Sequence, residues 1–287
     1  MELQVSQLQA LSAAVAEGTL EAAARALHVT PSAVSQRLQA LERATGRVLL
    51  VRSKPVRPTP SGEAVLRLAR QLELLTADTA AELGAGDEAA VPVAIAVNAD
   101  SLATWVLPAL APLADRVAFR FHRADEQRTA ALLRSGEVVA AVTTEEAPVA
   151  GCLVTPLGRM RYRPVAAPAF AARWFPDGPT PEALAAAPVV VFDRDDVMQH
   201  RYLDRHAPGA APPEHTVPSS RDFTAAIELG FGWGMLDELQ LDPARVVDLA
   251  PGNAISQPLH WQRWRLRSPS LDAVSDAIVA AARARLR

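Results

Sequence analysis

Apolar side chains recur at three- and four-residue steps near the start of the chain, which is the period of a helix that packs one face on a core. Leu8, Leu11 and Val15 form the first stripe, and a second, alanine-rich stripe ends near Leu27. The third stripe follows Thr30, whose hydroxyl can cap a helix, and the next residue is a proline suited to the first helical position. The pattern predicts three short helices, the last two joined as a helix-turn-helix.

The pattern changes after the third helix, which we expect to end at Gly46. An apolar run and a basic, proline-broken loop at residues 52–58 then predict a strand pair with a loop at its tip, a wing. From Thr59 to about Leu83 the period is again helical, with four apolar residues at heptad-like spacing: Val65, Leu68, Leu72 and Leu75. We therefore predict a winged helix-turn-helix domain over residues 1–58 and a linker helix over residues 59–86, which joins chains into a homodimer or tetramer.

Beyond residue 90, apolar strand-like runs alternate with helical stretches. The predicted strands are Val91–Val97, Val117–Phe121, Val138–Val142, Pro188–Phe192 and a segment near Gly230–Leu236. The predicted helices are Ser101–Leu113, Arg128–Arg134 and Leu271–Leu286. This alternation favours a parallel sheet, so the fold class is α/β, with a mostly helical N-terminal domain.

The net charge of the chain is −3, which alone would argue against nucleic acid as a partner. The charge is unevenly placed, because residues 25–70 sum to +7 and residues 71–287 to −7. The 14 aromatic residues begin only at Trp105. A basic segment without aromatics, followed by an acidic segment that holds them all, indicates two domains with different partners, the first being double-stranded DNA.

Polar side chains occupy the first two turns of the third helix, on the side away from its apolar stripe: Ser32, Ser35, Gln36 and Arg37. A helix in the major groove presents its base-reading side chains there, and Gln and Arg can pair with adenine or guanine edges. In the wing, Arg52, Lys54 and Arg57 would contact phosphates or the minor groove. The alternative interpretation is a solvated helix face and an ordinary basic loop.

Other classes of protein are disfavoured. The single cysteine, Cys152, excludes an intrachain disulfide, and its apolar surroundings predict a buried structural thiol. Asp196, His200 and His206 would need a fourth ligand to hold a metal, and no convergent acid, base or nucleophile indicates an enzyme. The first residues resemble no signal peptide and no apolar run could span a bilayer, so we expect a soluble, cytoplasmic protein.

Residues 22–42 (AAARALHVTPSAVSQRLQALE), with Gly46, Arg52 and the Thr59-Pro60-Ser61-Gly62 motif, resemble the winged helix-turn-helix of LysR-type transcriptional regulators. Most members have Gln-Pro where this chain has Pro31-Ser32. The resemblance implies DNA contacts by residues of the third helix and wing: Thr30, Pro31, Ser32, Ser35, Gln36, Arg37, Arg52, Lys54 and Arg57. It covers essentially the whole chain.

Residues 97–105 (VNADSLATW) and Leu107-Pro108, with further short matches at 125–129, 136–139, 192–193 and 219–220, resemble the ArgP/LysG subgroup of that family, which activates exporters of lysine and arginine. The resemblance implies a two-lobed, periplasmic-binding-protein-like effector domain over residues 87–287. Lobe I would comprise about 91–160 and 263–287, and lobe II about 161–262. It further implies a bound lysine or arginine as effector, no cofactor, and RNA polymerase as a partner.

Candidate effector-binding residues follow from the strand ends. Asn98, Asp100 and Ser101 lie between a strand end and a helix start, where ligands of open α/β sheets bind. Free backbone N–H groups there could donate hydrogen bonds to an α-carboxylate, while Asp100 could bind an α-ammonium group. Asp125 and Asp193 each follow a strand and could bind a cationic side chain. Further candidates within the matched motifs are Thr129, Ser219 and Ser220. For several of these residues, helix capping is the competing role.

Two alternatives remain at this point. The chain could be a LysR-type regulator of a different small molecule, or a solute-binding protein of similar fold. The second would require export from the cell, and the basic N-terminal segment counts against it.

Overall fold

Three helices open the chain, α1 (Val5–Glu17), α2 (Leu20–Ala26) and α3 (Pro31–Thr45). They are seen in a computed structural model that describes residues 2–51, 53–84, 90–124, 126–194 and 196–286. Gly18 ends α1 with a φ of 71°, a conformation that costs glycine no steric strain. Thr19 then caps α2 by accepting a hydrogen bond of 3.1 Å from Ala22 N. These local signals account for the predicted helix-turn-helix.

The wing and the linker helix follow. Strand β1 (Leu50–Val51) pairs antiparallel with β2 (Arg57–Pro58), and α4 extends over Pro60–Glu82. The predicted Thr59-Pro60-Ser61-Gly62 motif requires glycine at its last position, because a Cβ on residue 62 would lie 1.9 Å from the Leu49 carbonyl oxygen. The start of the linker helix therefore packs directly on the end of the wing.

The described residues form two compact units. The first comprises Met1–Val97, Leu110–Thr155 and His260–Ala277, and the second comprises Asn98–Ala109, Pro156–Leu259 and Ile278–Arg287. In the first unit, the N-terminal helices share a core that includes Leu11, Val34 and Leu41, all fully buried. Burying each such side chain contributes about 1.5–3 kcal/mol, so this core gives α3 a stable base. The predicted limits of the domains and lobes stay a prediction.

The first unit also contains a sheet built from β3 (Val91–Val97), β4 (Val117–Arg123), β5 (Ala140–Thr143) and part of β11 (Ile255–Trp264). Strand β3 pairs parallel with both β4 and β5, while β11 runs antiparallel to β5. Helix α7 (Glu126–Ser135) connects β4 to β5. The predicted α/β class is confirmed, although the expectation of an entirely parallel sheet is wrong.

In the second unit, β6 (Cys152–Ala166) pairs antiparallel with β9 (Gly234–Asp237) and with β10 (Val247–Asp248). Strand β7 (Val189–Val191) pairs parallel with β8 (Glu214–Thr216). The sequence pattern missed β6 and β11, each of which runs from one unit to the other. This unit also contains the helices α8 (Pro168–Trp174), α9 (Pro181–Ala186), α10 (Met198–His206) and α11 (Ser220–Glu228).

The predicted helix over Ser101–Leu113 begins earlier and is irregular. It consists of α5 (Ala99–Ser101), a π-helical turn (Leu102–Val106), α6 (Leu107–Leu110) and a 3-10 turn (Ala111–Leu113). Prolines at 108 and 112 cannot donate backbone hydrogen bonds, which is consistent with this break in the α-helical ladder. The chain ends in α12 (Pro269–Arg285). No helix among the described residues has the length and apolar character to cross a membrane.

One minor prediction is confirmed. Cys152 is 5% exposed, and burial raises the pKa of its thiol to about 11, as expected of a structural cysteine. Of the potential metal ligands, His200 pairs with Glu214 through a 2.9 Å contact, and the His206 ring packs on Tyr202.

Candidate functional site

Helix α3 presents the polar face that the sequence predicts. Thr30 Oγ1 accepts a hydrogen bond of 3.2 Å from Ala33 N and so caps the helix, with Pro31 at its first position. Ser32 and Gln36 are exposed on this face. The first turns of α3 therefore pack on the core through their apolar face, while their polar face is exposed to solvent.

The remaining α3 candidates differ in exposure. Ser35 and Arg37 are half-buried, Pro31 is exposed, and Val34 beside them is fully buried. His28 lies in the turn that leads into α3 and has a φ of 53°, which is uncommon for a residue other than glycine. This turn sets the angle between α2 and α3.

The wing places two of its three predicted basic residues at the surface. Lys54 and Arg57 are exposed, and Arg57 pairs with Val51 in the register of the two short strands. Arg52 lies outside the described residues. DNA contact by the α3 and wing residues stays a prediction.

The linker helix α4 uses only part of its apolar surface within the chain. Val65 and Leu72 pack partly on the N-terminal core, whereas Leu68 is 38% exposed. Thr59 caps the helix by accepting a 3.0 Å hydrogen bond from Gly62 N, and it donates to the Val48 carbonyl at 2.7 Å. The apolar stripe predicted for pairing two chains is therefore only partly covered.

Asp100, in the first turn after β3, is the centre of a polar cluster within the second unit. Its Oδ1 accepts a 2.9 Å hydrogen bond from Ser220 Oγ, and its Oδ2 accepts one of 3.1 Å from Tyr162 OH. Gln240 Nε2 also donates to Oδ1, at 3.3 Å. Asp100 as a whole is half-buried, and three neutral side chains hold its carboxylate. We call Asp100, Tyr162, Ser220, Asp237 and Gln240 the Asp100 cluster.

A second carboxylate lies behind Asp100. Gln240 Nε2 donates a short hydrogen bond to Asp237, which is 1% exposed at the carboxyl end of β9. The Gln240 Oε1 atom accepts from Thr224 Oγ1 at 2.9 Å, which orients its NH₂ group toward both carboxylates. One amide therefore bridges two acidic groups.

Burial dominates the electrostatics of the cluster, and the main influences among the described residues are neutral donors and acidic groups. Burial raises the pKa of Asp100, although hydrogen bonds from Ser220, Tyr162 and Gln240 oppose the shift. Burial also raises the pKa of Asp237, to about 7, and the charge of Asp100 adds to the shift. The Tyr162 pKa is raised well above its ordinary value, first by burial and then by Asp100. The cluster therefore favours any group that brings positive charge to Asp100.

Of the predicted effector residues, Asp100 and Ser220 are brought together directly. Asn98 acts as a helix cap, because its Oδ1 accepts a 3.1 Å hydrogen bond from Ser101 N. Ser101 is fully buried, and its Oγ lies 3.8 Å from Met160 Sδ. For Asn98 the competing capping role is thus observed.

Three further predicted residues have described positions. Ser219 is the N-cap residue of α11 and Asp193 is half-buried in the bend after β7. Thr129 is 1% exposed on α7 of the first unit. Asp125 lies outside the described residues. Effector contact by all of these stays a prediction.

Sequence reasoning missed Tyr162, Asp237 and Gln240. Asp237 ends a short apolar strand, so the strand-end rule that selected Asp100 could have found it. Tyr162 is one of two tyrosines in the chain and lies on a strand that was not predicted. No local pattern marks Gln240.

Comparison with known proteins agrees with these features. Residues 5–63 match the family model of bacterial regulatory helix-turn-helix proteins of the lysR family. Residues 87–283 match the LysR substrate binding domain. Together the two models span most of the chain, including α3, the wing and the Asp100 cluster.

Two relatives, one of them matched both as a sequence and as a solved structure, are similar over nearly their whole length. The lysine export transcriptional regulatory protein LysG of Corynebacterium glutamicum is 43% identical over 283 residues, covering 96% of this chain and 97% of that protein. The crystal structure of ArgP from Mycobacterium tuberculosis has a TM-score of 0.86 at 43% identity and covers 100% of this chain and 99% of that one. Full-length C. glutamicum LysG with bound effector Arg has a TM-score of 0.79 at 40% identity, covering 99% and 100%.

Proposed function

Because the chain belongs to the LysR family of bacterial regulatory helix-turn-helix proteins, we propose that this DNA-binding transcriptional regulator senses a basic amino acid, arginine or lysine, and activates a gene for amino-acid export. One relative supports the proposal, since LysG of C. glutamicum is a lysine export regulator and its structure holds Arg as a bound effector. The structural support is the Asp100 cluster.

The observation that carries the proposal is the half-buried carboxylate of Asp100. Its hydrogen-bond donors, Ser220, Tyr162 and Gln240, are all neutral. A partly buried carboxylate without a cation is unfavourable, and the ammonium group of an amino acid would provide the missing charge. An effector without a cationic group would leave the charge uncompensated.

The remaining effector candidates complete the proposal. An α-carboxylate needs hydrogen-bond donors, and a cationic side chain needs a second acidic group. We propose that the residues that bind the α-carboxylate and the cationic side chain belong to one group of candidates: Asn98, Ser101, Asp125, Thr129, Asp193 and Ser219. Each assignment rests on the strand-end and motif positions of these residues.

The DNA-binding half of the proposal rests on α3 and the wing. Gln36 and Arg37 would read base edges, and Ser32 and Ser35 would assist from the same turns. Thr30 and Pro31 would approach the backbone at the helix start, where phosphates are favoured by free amides. Arg52, Lys54 and Arg57 would neutralise phosphates beside the major groove.

A homodimer or tetramer would form through α4, whose Leu68 is open for pairing. Two recognition helices on one assembly fit a pseudo-palindromic operator. We infer that the assembly acts in the cytoplasm, where it reaches the chromosome and RNA polymerase.

The test combines titration calorimetry with gel shifts. Arginine, lysine, histidine and glutamate are titrated into the full-length protein, with and without DNA from upstream of an amino-acid exporter gene of the same genome. Saturable binding of arginine or lysine but not glutamate is the expected result. A gel shift on that DNA that persists over unrelated competitor DNA is expected as well. Saturable binding of glutamate instead would favour a regulator of a different effector.

A further inference from the structure

The Asp100 cluster contains two carboxylates that share one hydrogen-bond donor. The Gln240 amide donates one N–H to Asp100 Oδ1 at 3.3 Å and the other to Asp237 Oδ2. Its oxygen is engaged by Thr224, so the amide cannot rotate without turning an acceptor toward both acidic groups. The two carboxylates are therefore held in fixed relation at opposite sides of one NH₂ group.

Within the part of the chain that the structure describes, the groups that act most on this pair bring no positive charge. Tyr162 on β6 and Ser220 on α11 donate hydrogen bonds to Asp100, and Thr224 on α11 donates to Gln240. The charge of Asp196, in the segment before α10, also acts on Asp100. Among the described residues, the groups that act most strongly on either carboxyl are neutral donors and other acids.

The nearest arginines on β6 lie on the opposite face of the strand. Arg161 and Arg163 alternate with Tyr162, and their side chains pair with Glu238 at 3.6 and 2.7 Å. Arg163 also pairs with Asp248 at 2.7 Å. These arginines are therefore engaged with other acids.

Two buried like charges without a cation cannot both be kept at neutral pH at low cost, so the pair retains a proton. Asp237 is the better site for that proton, because three side chains, Ser220, Tyr162 and Gln240, donate hydrogen bonds that stabilise a charged Asp100, whereas among the described side chains Gln240 alone does so for Asp237. The raised Asp237 pKa, about 7, agrees with this placement.

We propose that binding of a cationic amino acid at Asp100 expels a proton held by Asp237, so that effector affinity depends on pH. The proposal rests on the proposed function, since it requires the effector's ammonium group to reach Asp100. That positive charge cancels the repulsion which Asp100 exerts on Asp237 through Gln240. Asp237 then releases its proton to solvent, and Asp100 stays charged against the ligand. Asp237 does not touch the effector and acts as a positioning and proton-holding residue.

The sign of the effect follows from linkage. Below pH 7 the effector must displace a proton, so its affinity falls as the pH falls. If the Asp237 pKa drops by about one unit in the complex, affinity for arginine increases by about tenfold between pH 5.5 and 8. The guanidinium and α-ammonium groups of arginine keep their protons through most of this range.

The direct measurement is titration calorimetry of arginine into the full-length protein at pH 7, in a series of buffers with different ionisation enthalpies. The slope of binding enthalpy against buffer enthalpy gives the number of protons released. We expect several tenths of a proton per arginine, and at most about one. Binding with a slope of zero would overturn the inference while leaving the proposed function intact.

Variants assign the proton to its source. Asp237→Asn should bind arginine with almost no proton release and with affinity nearly independent of pH. The matched control is Asp204→Asn, an exposed aspartate on α10 of the same unit, which should behave as wild type. Wild-type proton release in Asp237→Asn would overturn the assignment to Asp237.

Infrared difference spectroscopy of the wild-type protein keeps the test independent of whether the variant folds. Addition of arginine should remove the carbonyl band of a protonated carboxylic acid, and persistence of that band would contradict the proposal. A complete lack of arginine and lysine binding at every pH would overturn the proposed function and, with it, this inference.

Discussion

Ser220 Oγ donates a hydrogen bond of 2.9 Å to Asp100 Oδ1 across 120 residues of sequence. Asp100 follows the first strand of the α/β region, and Ser220 begins α11. Both were selected from the sequence as effector-binding residues, one for its strand end and one for its motif. Their direct contact in one unit makes the Asp100 cluster the first place to test the proposed function.

Asp100→Asn should weaken arginine binding by about tenfold to a hundredfold. The substitution removes the charge but keeps the side-chain shape, and hydrogen bonds to charged groups contribute about 1.5–3 kcal/mol. Calorimetry at pH 7.5 gives the affinity, and DNA affinity should be unchanged. Ser220→Ala should show a smaller loss, because it only removes one donor to the carboxylate. Wild-type affinity in Asp100→Asn would exclude this carboxylate as the cation site.

Gln36→Ala and Arg37→Ala should each reduce binding to operator DNA by about 1–3 kcal/mol, with much smaller losses on unrelated DNA. The reason is that base-edge contacts are made only on the correct sequence. Gel shifts on both DNAs at one salt concentration check the difference. Equal losses on both would move the residue to the phosphate-binding class. Gln39→Ala is a suitable control, since Gln39 is exposed on the same helix beyond the first two turns.

Lys54→Ala and Arg57→Ala in the wing should weaken binding to operator and unrelated DNA alike. Each exposed cation that neutralises a phosphate adds about one to the slope of log affinity against log salt concentration. The slope should therefore decrease by about one in each variant. An unchanged slope would indicate that the wing loop does not reach the DNA backbone.

Asp78→Ala should destabilise the attachment of the linker helix within the first unit. Asp78 is 6% exposed on α4, and its two carboxylate oxygens accept hydrogen bonds of 2.5 Å from Ser268 Oγ and 2.6 Å from Ser270 Oγ, at the start of α12. Hydrogen bonds to a buried charged group contribute about 1.5–3 kcal/mol each, so we expect a loss of at least about 2 kcal/mol in the free energy of unfolding. Urea denaturation measures it. Asp276→Ala, at an exposed site on α12, should have little effect.

The stability of the effector-free protein should fall as the pH rises from about 4 to 7. The Asp237 pKa is raised to about 7, so the folded state holds a proton that the unfolded state loses near pH 4. Because the folded state binds more protons in this range, the free energy of unfolding decreases with pH, by at most about 4 kcal/mol. Asp237→Asn should remove this decrease, as measured by urea denaturation at pH 5 and pH 8. Parallel pH profiles for the two proteins would contradict the raised pKa.

Much of the N-terminal half was predictable because its signals are local. The cap at Thr30, the proline at position 31 and the apolar stripe on α3 define that helix within 15 residues. Strand β6 was missed even though Met160 and Tyr162 alternate with arginines, since such mixed alternation is weaker than a continuous apolar run. The π-helical turn at Leu102–Val106 could not be predicted, because no pattern in the sequence distinguishes it from an ordinary α-helix.

The sequence by itself determined the family, the helix-turn-helix, the linker helix and the α/β class, because these depend on periods, caps and breaks within short stretches of chain. It also identified Asp100 and Ser220 one at a time, through their places at a strand end and in a motif. Only the tertiary structure decided that they meet, and that Tyr162, Gln240 and Asp237 join them. The physical reason is that this cluster depends on which strands and helices become neighbours, and the burial that raises the pKa of Asp237 exists only after they pack.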